Sequence, residues 1–157
     1  MVYYQLHTKQ EVAFYLNDII KGCKIIAKKN PGSNVEHIIN MISWNVESPN
    51  CFLLAGVHRD RCVGFLFALG IVYPEKSWCE IITLWTLPKL ALKLKQTGAE
   101  PLDLLKKWCK DRNISSIVTN ITRGLTPHKK AKDGAYFDWF LKDLGFEEIG
   151  KVIRLQI

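Results

Sequence analysis

Trp78-Cys79-Glu80-Ile81-Ile82-Thr83-Leu84-Trp85-Thr86-Leu87 is an apolar, strand-forming run that stops at Pro88. A lysine-studded loop follows, ending in Lys95-Gln96-Thr97-Gly98-Ala99, and an amphipathic helix opened by Pro101 comes next. A strand that runs through a glycine turn into a helix N-terminus aims several backbone N–H groups at one spot, an arrangement that holds phosphate without a metal. The rest of the chain is read outward from that spot.

Upstream, Val2 to His7 reads as a short first strand. Thr8-x-x-Glu11 is a capping box, in which hydroxyl and carboxylate satisfy the orphan N–H groups of a helix start. The helix it opens carries Val12, Tyr15, Leu16, Ile19, Cys23 and Ile26 on one face, and it ends before Asn30-Pro31-Gly32. Ser33-x-x-Glu36 reads as a second capping box, followed by a stripe of Val35, Ile38, Ile39 and Ile42. Cys51–Val57 and Cys62–Tyr73 are apolar runs broken by His58-Arg59-Asp60-Arg61 and by Pro74-Glu75-Lys76, which predicts an antiparallel meander with the central run. Near-continuous apolar character along all three strands implies a sheet covered on both faces.

Downstream, Leu102, Leu105, Trp108 and Cys109 line one side of the third helix, and Ile114–Ile121 reads as a β-branched strand. Residues 122–134 form a basic loop. Phe137, Phe140, Leu141 and Leu144 mark a fourth helix closed by Gly145, and 146–157 is the last strand. The fold class is α/β (α+β), with a mixed central sheet of six to seven strands in one domain spanning 1–157.

Charge is distributed unevenly. Residues 88–133 hold eleven Lys and Arg against four Asp and Glu, while the flanking parts are balanced, so the net +7 is concentrated around the proposed phosphate loop. Such an excess favours a polyanionic partner, either a phosphorylated cofactor or a nucleic acid through 88–133. The five cysteines are scattered with no C-x-x-C pair, four of them in apolar stretches, and read as core thiols; Cys109 on the third helix is the weaker, catalytic alternative. The histidines lack ligand spacing, so no metal site is expected. No apolar run reaches membrane-spanning length and Met1-Val2-Tyr3-Tyr4 lacks a secretory signature, which places the expectation in the cytoplasm with no membrane partner. Trp44 and Trp78 are expected to be packing residues.

The element order β-α-α-β-β-β-α-β-α-β resembles that of the GNAT superfamily of acyltransferases. Leu84-x-Thr86-x-Pro88 is similar to the family's Leu-x-Val-x-Pro, Lys95-x-x-Gly98 to its Arg/Gln-x-x-Gly-x-Gly/Ala pyrophosphate loop, and Leu144-Gly145-Phe146-Glu147 to its usual ending. Glu100 stands where the loop pattern has Gly or Ala, and Leu141 where the family's general-acid tyrosine would fall. The resemblance implies an N-acetyltransferase that uses acetyl-CoA (an acyl-CoA thioester) and a primary amine by direct attack. It places the pantetheine arm on the backbone near Trp85, Thr86 and Leu87, and the pyrophosphate at Lys95, Gln96, Thr97, Gly98, Ala99 and Glu100. Glu80 is the candidate general base, since a carboxylate among Cys79, Ile81 and Ile82 would be desolvated; the other reading has it solvated or paired with a lysine. For the acid, Tyr136, Tyr73 or a water remain open. The alternative function is a GNAT-like fold acting on nucleic acid without acetyl transfer.

Overall fold

The computed structural model describes residues 1–29, 34–86 and 99–119. Its elements are β1 (Val2–Leu6), α1 (Lys9–Lys29), α2 (Val35–Asn45), β2 (Cys51–His58), β3 (Arg61–Val72), β4 (Ser77–Thr86), α3 (Ala99–Lys110) and β5 (Ser116–Thr119). The expected fourth helix, the last strand, the basic loop 122–134 and the loop 87–98 lie outside the described residues. The strands make one mixed sheet in the order β1-β2-β3-β4-β5, antiparallel except for the parallel pair β4–β5.

Local signals account for most boundaries. At the start of α1 the Thr8 hydroxyl accepts from Glu11 N–H at 3.2 Å, and the Glu11 carboxylate accepts from His7 N–H at 2.6 Å and Thr8 N–H at 3.0 Å. These bonds, the one from His7 foremost, hold the Glu11 carboxyl below its usual range. The second cap differs from expectation by one residue. Asn34 is the cap of α2, its side chain accepting from His37 N–H at 3.2 Å, and this sets α2 to begin at Val35. Asn caps a helix as well as Ser does, so adjacent Ser33 and Asn34 compete and spacing alone does not choose between them. Arg59 and Asp60, with φ of 50° and 58°, turn the chain between β2 and β3 in the doubly left-handed conformation of a two-residue hairpin.

Two apolar layers sandwich the sheet. On one face α1 and α2 bury Val12, Ile19, Cys23, Ile38 and Ile42 against Leu6, Leu53, Ala55, Phe65 and Phe67. On the other α3 buries Leu102, Leu105, Trp108 and Cys109 against Phe52, Leu54, Leu66, Ala68 and Cys79. The alternation of each strand decides which residue goes to which layer, and β2 and β3 supply both, as their near-continuous apolar sequence requires. Gly70 lets α3 and the residues after it approach the sheet closely: a Cβ there would stand 3.0 Å from Ile114 Cδ1 and 3.1 Å from Trp108 Cη2. Trp108 is held further by Phe52, ring centroids 5.6 Å apart, and by the Arg112 guanidinium 4.5 Å above its ring. Trp44, expected to pack, is 73 % exposed, because it falls on the side of α2 opposite Ile38 and Ile42.

Asp18 ties α1 to the β2–β3 turn. Its carboxylate accepts from Arg61 Nε at 2.9 Å, from a second Arg61 nitrogen, and from Cys62 N–H at 3.2 Å, and its side chain is only 13 % exposed. The Arg61 bonds are the main cause that holds its carboxyl below the usual range. A depressed folded pKa gives stability that is present above the ordinary carboxylate range and is lost as pH falls through the folded value. Asp18→Asn should therefore destabilise the protein by about 1–2 kcal/mol at pH 7. Urea unfolding should show that difference shrinking as the pH is lowered to 3.

Candidate functional site

Along β4 the sheet changes character half-way. Its pairing with β3 runs from Val72↔Ser77 to Gly64↔Thr86, but the register slips between Phe67↔Thr83 and Ala68↔Ile81, leaving Ile82 as an extra residue. Such a bulge bends the strand and leaves one residue out of the ladder. It also resets the alternation. Cys79 and Ile81 pack toward α3, Ile82 packs toward α1 and α2, and Thr83 pairs with Phe67 of that same layer. Thr83 is 8 % exposed and is the buried polar residue of the described core.

The parallel partner β5 lies along the part of β4 that precedes the bulge. β5 pairs with β4 from Trp78↔Ser116 to Ile81↔Thr119, so among the described residues Ile82–Thr86 have a strand on the β3 side alone.

The N-terminus of α3 lies at this end of the sheet. Strands that are parallel neighbours require the crossover helix to run back against them. The side chains agree. Tyr3, Gly56, Gly64 and Thr86 occupy one row across the sheet, and the Tyr3 phenol is pushed above its usual range first by burial and then by the Glu100 carboxylate. The first turn of α3 therefore sits at the level where β4 ends. The helix opens at Ala99, two residues before the Pro101 expected to open it, so Ala99 and Glu100 belong to the helix and Pro101 to its first turn, where a missing N–H costs nothing. Glu100 is exposed there, where the macrodipole favours an acid. Trp85 and Thr86 are in β4 as expected, while Leu87, Lys95, Gln96, Thr97 and Gly98 lie outside the described residues.

Glu80 lies two residues before the bulge, paired with Leu69 and half-buried. Strand alternation puts it on the α1/α2 face with Ile82, whereas Cys79 and Ile81 face α3. Of the three neighbours expected to desolvate it, one shares its face. Tyr136 lies outside the described residues. Tyr73, the other tyrosine considered for the acid step, is at the wrong end: it lies in the β3–β4 turn with its ring 5.8 Å from Trp78, and Ser77 to Ile82 alone spans roughly 17 Å of strand. A depression of about 690 Å³ opens there as well, lined in part by Tyr73, Lys76, Trp78, Arg112 and Ser115. It lies at the starting ends of β4 and β5. Ligands of open α/β sheets bind outside the strands' carboxyl ends, so the bulged end of β4 is the candidate site.

All five cysteines are buried. Burial pushes the thiols of Cys23 and Cys62 up to about 11 and that of Cys51 to about 12. Cys79 of β4 and Cys109 of α3 are hydrogen-bonded; the bond raises Cys79 and lowers Cys109, with the Arg112 charge adding to the lowering. That partner comes from another element, out of reach of a reading of the residues next to Cys109. Cys109 nevertheless faces the core, 3 % exposed, so a nucleophilic role does not fit it. A water-soluble thiol reagent should label the native protein slowly, and guanidinium should release five reactive thiols.

The sequence matches no protein-family model and no curated protein. Solved structures do match across the whole chain. An aminoglycoside 6'-N-acetyltransferase from Acinetobacter haemolyticus superposes with a TM-score of 0.67 at 13 % identity, covering 100 % of this chain and 98 % of that one. The fold is that of the GNAT acetyltransferases. AAC(6')-Iy, solved with the bisubstrate analogue CoA-S-monomethyl-acetylneamine, gives 0.66 at 13 % identity over 99 % and 97 % of the two chains. The ribosomal-protein-alanine N-acetyltransferase of Brucella melitensis biovar Abortus 2308 gives 0.64 at 11 % identity over 100 % of both. No helix among the described residues is long and apolar enough to cross a membrane.

Proposed function

We propose that the chain, acting as one domain over 1–157, is an acyl-CoA-dependent N-acyltransferase that transfers an acetyl group to a primary amine. The observation that carries this reading is the bulge at Ile82, which bends β4 at the end of the sheet where α3 begins. A bend in β4 beside a helix N-terminus suits an elongated phosphorylated molecule lying along the strand. The bisubstrate complex of the similarly folded AAC(6')-Iy supports CoA as that molecule.

In this reading the backbone of Trp85, Thr86 and Leu87 pairs with the pantetheine arm. The N–H groups from Gln96 to Glu100, with the Lys95 ammonium, hold the pyrophosphate at the start of α3. Bound there, the thioester supplies an acyl group activated enough for direct attack by an amine. A backbone N–H freed at the bulge donates to the carbonyl oxygen as negative charge develops on it. Glu80 takes the proton from the attacking ammonium, and its place on the α1/α2 face assigns that face to the acceptor. Tyr136 or a water returns a proton to the leaving thiolate; Tyr73 is too far from the bulged end of β4 to do so.

The nucleic-acid alternative has no comparable support. In the described part of the basic stretch, Lys106 pairs with Asp103 at 3.7 Å, and Arg112 is engaged by the Trp108 ring and by the carbonyls of Pro49 and Trp108.

Acetyl-CoA at 100 times its Kd should stabilise the protein by about 2.7 kcal/mol, read as a rise in Tm. Gly98→Val should remove that rise without lowering the Tm of the free protein, and an unmoved transition with saturating acetyl-CoA would refute the proposal. Glu80→Gln should keep the acetyl-CoA shift while lowering kcat by roughly 10²–10⁴.

A further inference from the structure

The sheet sorts the five cysteines into two groups. Cys23, Cys51 and Cys62 belong to the apolar layer under α1 and α2, whereas Cys79 and Cys109 belong to the layer under α3. The second group is a pair in contact. Cys79 of β4 is the cross-strand neighbour of Gly70 in β3. A Cβ at Gly70 would meet Trp108, the residue before Cys109, and Ile114, whose N–H donates to the Cys109 carbonyl at 2.9 Å. The turn of α3 that carries Cys109 therefore rests where Gly70 and Cys79 pair, and the two thiols share a hydrogen bond there. In the other layer Cys51 and Cys62 stand at opposite ends of the β2–β3 ladder, Cys51 across from Leu69 and Cys62 across from Val57.

The geometry points to Cys79 and Cys109 as a redox-sensitive pair, which hydrogen peroxide closes into a disulfide that ties α3 to β4 and a dithiol reopens. Cys109 supplies the attacking sulfur. The hydrogen bond from Cys79, and after it the Arg112 charge, favour its thiolate, while burial keeps Cys23, Cys51 and Cys62 as thiols. The Cys109 sulfur attacks one peroxide oxygen, the O–O bond breaks and hydroxide leaves, which makes Cys109 a sulfenic acid. The Cys79 sulfur then attacks the Cys109 sulfur, an S–S bond replaces the S–O bond, and a second hydroxide leaves. The protons given up by the two thiols convert both hydroxides to water. Two thiols are oxidised and one peroxide is reduced.

Burial sets the pace of this chemistry. Cys109 is 3 % exposed and Cys79 is fully buried, which keeps an amine or a thioester away from either sulfur. Peroxide is little larger than water and reaches the pair through local opening of α3. The response is slow and stoichiometric. Closing the bond draws Cys109 toward β4 while Trp108 and Ile114 already rest on Gly70, so α3 takes up the change by rolling or tilting. The consequence for function rests on the acyl-CoA reading: the amides at the start of α3 lose their aim, and acetyl-CoA binds more weakly.

The test treats the native full chain with hydrogen peroxide, denatures it in guanidinium with iodoacetamide present, and maps the cysteine peptides by mass. The expected product joins Cys79 to Cys109 and leaves Cys23, Cys51 and Cys62 alkylated, and dithiothreitol after the peroxide should return all five to the alkylated form. Full alkylation after peroxide overturns the inference, as does a disulfide between other cysteines, or a Cys109 sulfinic acid beside a free Cys79 thiol. Cys79→Ser should abolish the cross-link and leave a Cys109 sulfenic acid that dimedone traps; if that variant does not fold, the map of the unaltered chain decides alone. At a fixed acetyl-CoA concentration the rise in Tm of the oxidised protein should be about half that of the reduced protein, and dithiothreitol should restore it. Equal rises in the two forms overturn the coupling to cofactor binding. A reduced protein with no rise refutes the acyl-CoA reading instead, and the disulfide is still judged by the peptide map.

Discussion

One surplus residue in one strand sets the geometry on which everything else depends. Between Ala68 and Phe67 of β3, β4 fits Ile81, Ile82 and Thr83 where a regular ladder would hold two residues. The strand must bend there. The bend sends Ile82 and Thr83 into the layer under α1 and α2 while the residues before it alternate regularly. The bulge is the local means by which β4 bends while it stays paired with β3 along its whole length.

The architecture was legible because its signals are local. Helix faces follow from the 3.6-residue spacing of Val12, Ile19, Cys23 and Ile26, and the Thr8-x-x-Glu11 cap is made by bonds four residues apart or less. Strands β2 and β3 were set by apolar runs between polar turns, and their burial on both faces by the absence of alternation. Where two local signals compete, the sequence is ambiguous by a residue or two. Ser33 and Asn34 are such a pair, and so are Ala99 and Pro101 at the start of α3.

The site was legible in position more than in detail. That β4 and the start of α3 converge follows from chain order and crossover handedness, whereas the bulge does not. Glu80-Ile81-Ile82-Thr83 contains no glycine and reads as an even strand, because the misfit exists only relative to β3. The same limit applies to the link between Cys79 and Cys109 and to the remoteness of Tyr73, which are contacts or distances between elements that no spacing along the chain encodes. Trp44 is a different case: its angle on α2, opposite Ile38 and Ile42, was available from the sequence and pointed to solvent.

Gly70 gives α3 a fixed fulcrum. With no Cβ between them, Trp108 and Ile114 rest directly on β3, and Arg112 fastens the same region to Pro49. From Trp108 to Ala99 the helix forms a lever arm of about 14 Å at about 1.5 Å per residue. A tilt of about 5° about that fulcrum would swing its N–H groups by roughly 1 Å, enough to lengthen a hydrogen bond past use. The tightness of one glycine contact on the third strand thus sets the aim of amide groups at the far end of the helix.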